Sequence, residues 1–297
     1  MTADGKTRSR PVARVVDAKS LKEGGGFPVR RPFPVAGFSF FDPFLLLDEM
    51  GPVDWPPNAA IGAPPHPHRG FETVTYLLDG AMQHRDSGGH AGDLNPGDVQ
   101  WMTAGAGVVH SELPHPDFQK TGGRMHGFQL WVNLPAAEKM IAPRYQDIPA
   151  SEIPKACSAD GKVEVTVIAG ECLGEKAVID TRIPITYLHL CIHPGGGIEQ
   201  PLSVGHNAVA YVFDGRLLVG EAKTSVVSGQ AALLGDGDRV RLAVSENADG
   251  PAQLLLLAGP PLNEPVARHG PFVMNTAAEI EQAIIDYRDG RLGGSID

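Results

Sequence analysis

The sequence predicts an all-β chain built as two copies of one β domain, a sandwich or barrel, with a short linker helix between them and one helix near the C-terminus. Three observations predict it. The 36 glycines and 26 prolines make about a fifth of 297 residues, too many turn-formers for a helical protein, while 42% hydrophobic content is ample for buried cores. Short β-branched and aromatic runs recur between Gly, Pro, Asn and Asp, as in sandwiches and barrels. One segment also reads twice: Thr73-Val74-Thr75-Tyr76-Leu77-Leu78-Asp79-Gly80 returns as Ala208-Val209-Ala210-Tyr211-Val212-Phe213-Asp214-Gly215, 135 residues on.

The elements follow from local chemistry. Thr73 to Leu78 is β-branched and aromatic, and Asp79-Gly80 supplies a hairpin turn. Further strands are expected at Val99–Met102, Phe128–Val132, Val163–Ile168, Tyr187–Ile192 and Leu254–Leu257. Pro135 opens a short helix in the linker that runs to about Pro143, which divides the chain into domains 1–140 and 141–297. Near the end, Thr276 and Glu279 form a capping box, Ile280, Ala283, Ile284 and Tyr287 keep helical spacing, and Gly290 marks the stop. A second repeat match pairs Pro96-Gly97-Asp98 with Asp236-Gly237-Asp238, 140 residues on.

Charge and cysteine content narrow the function. With 25 Lys+Arg against 35 Asp+Glu the net charge is -10, which argues against direct nucleic-acid or anionic-membrane contact. No run approaches the ~20 apolar residues of a membrane span. Lys6, Arg8 and Arg10 are followed by no apolar stretch, so no secretory signal is expected. Cys157, Cys172 and Cys191 are too scattered for a C-x-x-C site and are expected as buried, reduced thiols of a cytoplasmic protein, or a nuclear one in a eukaryote. Gly24-Gly25-Gly26 and Gly195-Gly196-Gly197 read as turns, Arg30-Arg31 as a solvated loop, and Ser111 as facing away from its neighbour His110.

The chemistry concentrates in two pairs. His66 and His68 are two apart, so on a strand they share a face; Glu72 has the same parity and points the same way if the strand is regular. His110 and Glu112 repeat the spacing. Two such pairs on neighbouring strands would surround one divalent ion, and imidazole with carboxylate suits Fe, Mn, Ni, Cu or Zn. Four protein ligands on an octahedral ion leave two positions for substrate and dioxygen. His126 could line the pocket or simply pack; Phe71, Met102, Met125 and Phe128 are pocket or core residues.

These residues carry a family resemblance. His66-Pro67-His68-Arg69-Gly70-Phe71-Glu72-Thr73 resembles the first metal motif of the cupin superfamily. The longer match resembles the pirin family: Asp42 to Glu49, His66 to Gly80, Asn95 to Gly105, His110-Ser111-Glu112 and Gly127 to Pro135. That resemblance implies a bicupin of two antiparallel cupin β-barrels, the N-terminal one holding iron on His66, His68, His110 and Glu112, with Glu72 near the site. Offsets of 135 and 140 carry the ligand positions to Pro201, Ser203, Asn207, Gly250 and Ala252, which are no ligand set, and His193 and His206 lack the paired spacing. The second domain is therefore expected to be metal-free. The resemblance further implies a quercetin 2,3-dioxygenase activity on a flavonol-like substrate with O2, releasing carbon monoxide, with Glu112 or Glu72 as the proton acceptor. Its alternative is an iron-dependent regulatory binding protein with a protein partner. A metal cupin isomerase or decarboxylase would use the same fold and ligands.

Overall fold

The structure, a computed structural model, describes residues 8–36, 38 and 40–292; Lys6 lies outside them. Each half is a large antiparallel sheet faced by a small one, a barrel-like sandwich. In the first half the seven-stranded sheet runs in spatial order Arg144–Ile148, Val99–Thr103, Phe71–Asp79, Gly123–Asn133, Phe44–Trp55, Phe27–Phe33, Lys19–Glu23. Its small sheet runs Ala63–His68, Val108–Pro114, Met82–Asp86, Ala91–Leu94. The second half repeats the plan with Val12–Asp17, Gln230–Leu234, Asn207–Asp214, Ala252–Gly259, Thr186–Ile192, Val163–Ala169 and Lys155–Cys157. Its small sheet is Gly197–Pro201, Arg239–Ala243, Arg216–Val219 and Thr224–Val227.

The halves exchange edge strands. Val12–Asp17, from the start of the chain, pairs with Gln230–Leu234 in the second large sheet. Arg144–Ile148, which follows the linker, pairs with Val99–Thr103 in the first. Each exchange covers the edge of a sheet that would otherwise expose a row of unpaired backbone groups. Arg10 fixes the first exchange: its buried guanidinium donates to the carbonyls of His206, Gly235 and Ser203.

The two large sheets pack face to face. Val74, Tyr76, Trp101, Phe128 and Leu130 of one meet Tyr187, Val209, Tyr211, Phe213 and Leu255 of the other in a shared core. Side chains alternate along a strand, so the other parity in the second half turns inward, and Val165, Leu190, Ala210, Val212, Leu242 and Leu254 fill that sandwich. The first half keeps polar side chains and a cavity at the corresponding place.

The expected strands all form, as does the helix Ala277–Arg288 with its capping box at Thr276 and Glu279. The linker helix is one 3-10 turn, Ala136–Glu138, after Pro135. A short helix, Pro116–Thr121, is additional. The second repeat match needs correction: Asp236-Gly237-Asp238 precedes the strand Arg239–Ala243, whose place in its small sheet is that of Val108–Pro114, whereas Pro96-Gly97-Asp98 precedes Val99–Thr103 in a large sheet. The cysteines also divide: Cys172 is buried, Cys191 half-buried and Cys157 exposed.

Candidate metal centre

The two ligand strands lie side by side at one edge of the small sheet. Ala63–His68 is rich in proline, which a central strand would not tolerate; at an edge the missing N–H groups are not needed. Proline also limits the unfolded chain, so less entropy is lost in presenting His66 and His68 on one face. The neighbouring strand pairs His110 directly opposite His66.

Three imidazoles converge. His66 Nε2 lies 3.0 Å from His68 Nε2 and 3.0 Å from His110 Nε2. His66 Nδ1 donates to the Pro64 carbonyl at 2.8 Å, which turns its Nε2 toward the other two rings. Burial, followed by the neighbouring His66, holds His68 well below the usual histidine pKa; burial, followed by His68 and His66, does the same for His110. Both are neutral at ordinary pH, the form that binds metal. Adjacent donors of an octahedral ion with bonds of about 2.1 Å stand about 3.0 Å apart, so the nitrogens are spaced as such an ion requires. Among the described residues this is the one group of three or more His, Cys, Asp or Glu side chains with donor atoms close enough to hold a metal ion.

Glu112 stands beside this group. Its Oε2 is 4.0 Å from His110 Nε2. Thr75 Oγ1 donates to Glu112 Oε1 and Gln129 Nε2 to Oε2, each at 2.9 Å. Trp131 Nε1 in turn donates to Gln129 Oε1 at 3.2 Å, which fixes the amide's orientation. The carboxylate is thus positioned by three side chains from the large sheet.

Glu72 is not brought to the histidines. The strand that carries His68 ends there, and Arg69-Gly70, with Gly70 at φ 87, interrupts the alternation before a new strand starts at Phe71. Phe71 therefore faces the site, with its ring 5.1 Å from that of His68, and Glu72 takes the parity of Val74 and Tyr76 on the opposite face. There it accepts from Thr103 Oγ1 at 2.7 Å, and burial raises its pKa.

Above the histidines opens a cavity of about 450 Å³. Phe27, Leu46, Met50, Met82 and Trp131 supply its apolar surface. Arg31 and Asp48, from neighbouring strands, pair at its wall through two 2.6 Å bonds, and Arg31 also meets Glu23 at 2.7 Å. Arg30-Arg31 is accordingly part of a strand, not a solvated loop: Arg31 faces the cavity, while Arg30 reaches Glu49 between the two halves. His126 also turns to Glu49, at 3.0 Å, and is not among the residues that line this cavity. Phe128, Met102 and Met125 are core residues. The fourth wall comes from far along the chain: Arg268, Gly270 and Pro271 of the hairpin Ala267–Met274.

Several site residues carried no local signal. His84, cross-strand from Glu112, sits behind His110 with its Nδ1 3.3 Å from His110 Nδ1. Thr75, Gln129 and Trp131 read as ordinary strand residues; only their parity with each other across paired strands would have suggested one face. In the second half, the inward-facing positions of the corresponding strand pair hold Ile198, Gln200, Val240 and Leu242, and no histidine group like the first forms among the described residues.

The comparisons agree with this geometry. The Pirin family model matches residues 26–132, and the model of the Pirin C-terminal cupin domain matches residues 187–293. The chain is 44% identical to pirin of Homo sapiens over 289 residues, 96% of this chain and 94% of that protein. It is 45% identical to a pirin-like protein of Solanum lycopersicum, covering 97% of this chain and 94% of the relative. Among solved structures it is similar to a quercetin 2,3-dioxygenase from Acinetobacter baumannii, with a TM-score of 0.90, 36% identity, and 97% and 100% of the two chains covered. With two cupin domains and a three-histidine group in the first, this chain belongs to the pirin family.

Proposed function

We propose that this protein is an iron-dependent dioxygenase that opens flavonols such as quercetin with O2 and releases carbon monoxide. The observation that carries the reading is the placing of three converging imidazoles at the floor of a largely apolar cavity of about 450 Å³, a size suited to a small aromatic ligand. The similarity to a solved quercetin 2,3-dioxygenase at 36% identity supports it.

His66, His68 and His110 would hold the ion, with Glu112 beside them as the fourth donor. A bound divalent ion supplies Lewis acidity, which lowers the pKa of a substrate hydroxyl and offers a place for dioxygen. The chain's own residues do the rest. Glu112 accepts the proton of the 3-hydroxyl, and Thr75 and Gln129 hold the carboxylate in reach of it. Trp131 and Phe27 bracket the flat rings, and the apolar walls limit water around the electron-rich flavonolate. Glu72, on the other face of its strand, takes no part.

The test is quercetin-dependent oxygen uptake by protein loaded anaerobically with Fe(II), beside a metal-free control. The reading expects uptake only in the loaded sample. No uptake by fully loaded protein would discard quercetin as the substrate and favour a binding role.

A further inference from the structure

The cavity holds two arginines in different states. Arg31 is consumed: Asp48 takes its Nε and Nη2, and Glu23 takes Nη2 as well. Arg268 is not. Among the described residues no carboxylate lies within ion-pair distance of it, and its one hydrogen bond is from Nε to the Gly270 carbonyl at 3.3 Å. Among the described residues neither of its terminal nitrogens has a hydrogen-bond partner. The guanidinium lies over the Trp131 indole, 4.8 Å from the ring centroid, which fixes its plane without using those donors. Trp131 in turn meets the His68 ring edge-on at 5.3 Å. The two distances put the guanidinium no more than about 10 Å from the His68 ring, along the cavity wall.

Its mooring makes the position a defined one. The hairpin that carries it is pinned beside His68: Val273 N donates to the Arg69 carbonyl at 3.0 Å, and the buried Lys139 ammonium donates to the Val273 carbonyl at 3.1 Å. A cation over the Trp131 ring, with unpaired donors among the described residues, on the wall of the cavity that the histidines floor, is a fork for a planar anion.

From this we infer that Arg268 selects the substrate. The site takes a flat aromatic compound with two polar ends: an oxygen donor at the histidines and, about two fused rings away, a carboxylate or ionised phenol held by the Arg268 fork. This rests on the reading of the cavity as a substrate site. Neutral flavonols bind there too, without the second contact.

The experiment compares anaerobic binding of 3-hydroxyflavone and its 4′-carboxylate to metal-loaded protein, followed by quenching of tryptophan fluorescence, in the wild type and in Arg268→Gln. The carboxylate is expected to bind at least about tenfold tighter in the wild type, the range of a charge-assisted hydrogen bond. Arg268→Gln should erase that advantage and leave 3-hydroxyflavone unchanged, which also certifies the variant's fold. Arg268→Glu should reverse the preference. Equal affinity of the two ligands in the wild type, an advantage that survives Arg268→Gln, or no binding of either would overturn the inference. Oxygen uptake is read separately: binding as expected with no uptake counts against the dioxygenase reading and leaves Arg268 as an anion-recognition residue.

Discussion

The outer ring nitrogen of His110 lies 3.3 Å from Nδ1 of His84, a buried histidine on the next strand. For His110 Nε2 to present a lone pair, its Nδ1 must carry the proton, and His84 is the acceptor that keeps it there. His84 Nε2 is then the protonated nitrogen, buried beside the Tyr145 ring at 4.8 Å with no hydrogen-bond partner. His84→Ala should weaken metal binding about 10–100-fold, read by competition with a chelator. Unchanged affinity would show that packing alone orients His110.

Glu49 joins the two halves. Its fully buried carboxylate meets Arg30 at 2.5 Å, His126 at 3.0 Å and the Tyr211 hydroxyl at 2.5 Å, the last from the opposite large sheet. Glu49→Ala leaves those three groups without their acceptor, and should cost about 3–5 kcal/mol in chemical denaturation. Tyr211→Phe removes a single partner and should cost less, about 1–3 kcal/mol. A loss below 1 kcal/mol for Glu49→Ala would mean that apolar packing alone holds the halves together.

Lys139 is a buried cation in a part of the chain that looked like linker. Its Nζ donates to the Gly70 carbonyl, Asn133 Oδ1 and the Val273 carbonyl at 2.8, 2.7 and 3.1 Å. Burial lowers its pKa to about 8, yet three acceptors match the three donors of an ammonium. Lys139→Met should destabilise the protein by about 2–4 kcal/mol, since buried acceptors are left unpaired. It should also loosen the C-terminal hairpin, seen as faster hydrogen exchange at Val273.

His189 sets a pH dependence. Tyr76 and Gln253 contact its ring at 2.9 and 3.3 Å, and burial lowers its pKa from 6.5 to about 4. Between these values the unfolded chain binds the proton that the folded one refuses, so this contribution to stability is complete above about 6.5, falls as pH drops, and levels off below about 4. The loss totals at most about 3 kcal/mol. Stability of His189→Gln should be flatter than wild type across that window. Parallel curves would place the acid sensitivity elsewhere.

How far the sequence went depends on how local each cue was. Period-two alternation and turn residues exposed the strands, and Thr276 with Glu279 exposed the helix, because those cues act within a few residues. His66, His68 and His110 stood out because ligand spacing on a strand is local too. Glu72 misled: Gly70 takes a positive φ, and that break puts Phe71 on the site's face and Glu72 on the opposite one. Arg268 and His84 could not be read at all, since strand pairing and a distant hairpin deliver them to the site. The exchange of Val12–Asp17 and Arg144–Ile148 between halves is likewise a property of assembly, not of either segment.

The proposed function requires the histidine group to drive oxidative ring opening. Carbon monoxide released per quercetin consumed, by Fe(II)-loaded wild type and by His68→Ala, tests it most directly. Equal amounts of carbon monoxide formed and quercetin lost are expected in the wild type, and neither metal retention nor carbon monoxide in His68→Ala. Quercetin loss without carbon monoxide, or equal release by the variant, would contradict it.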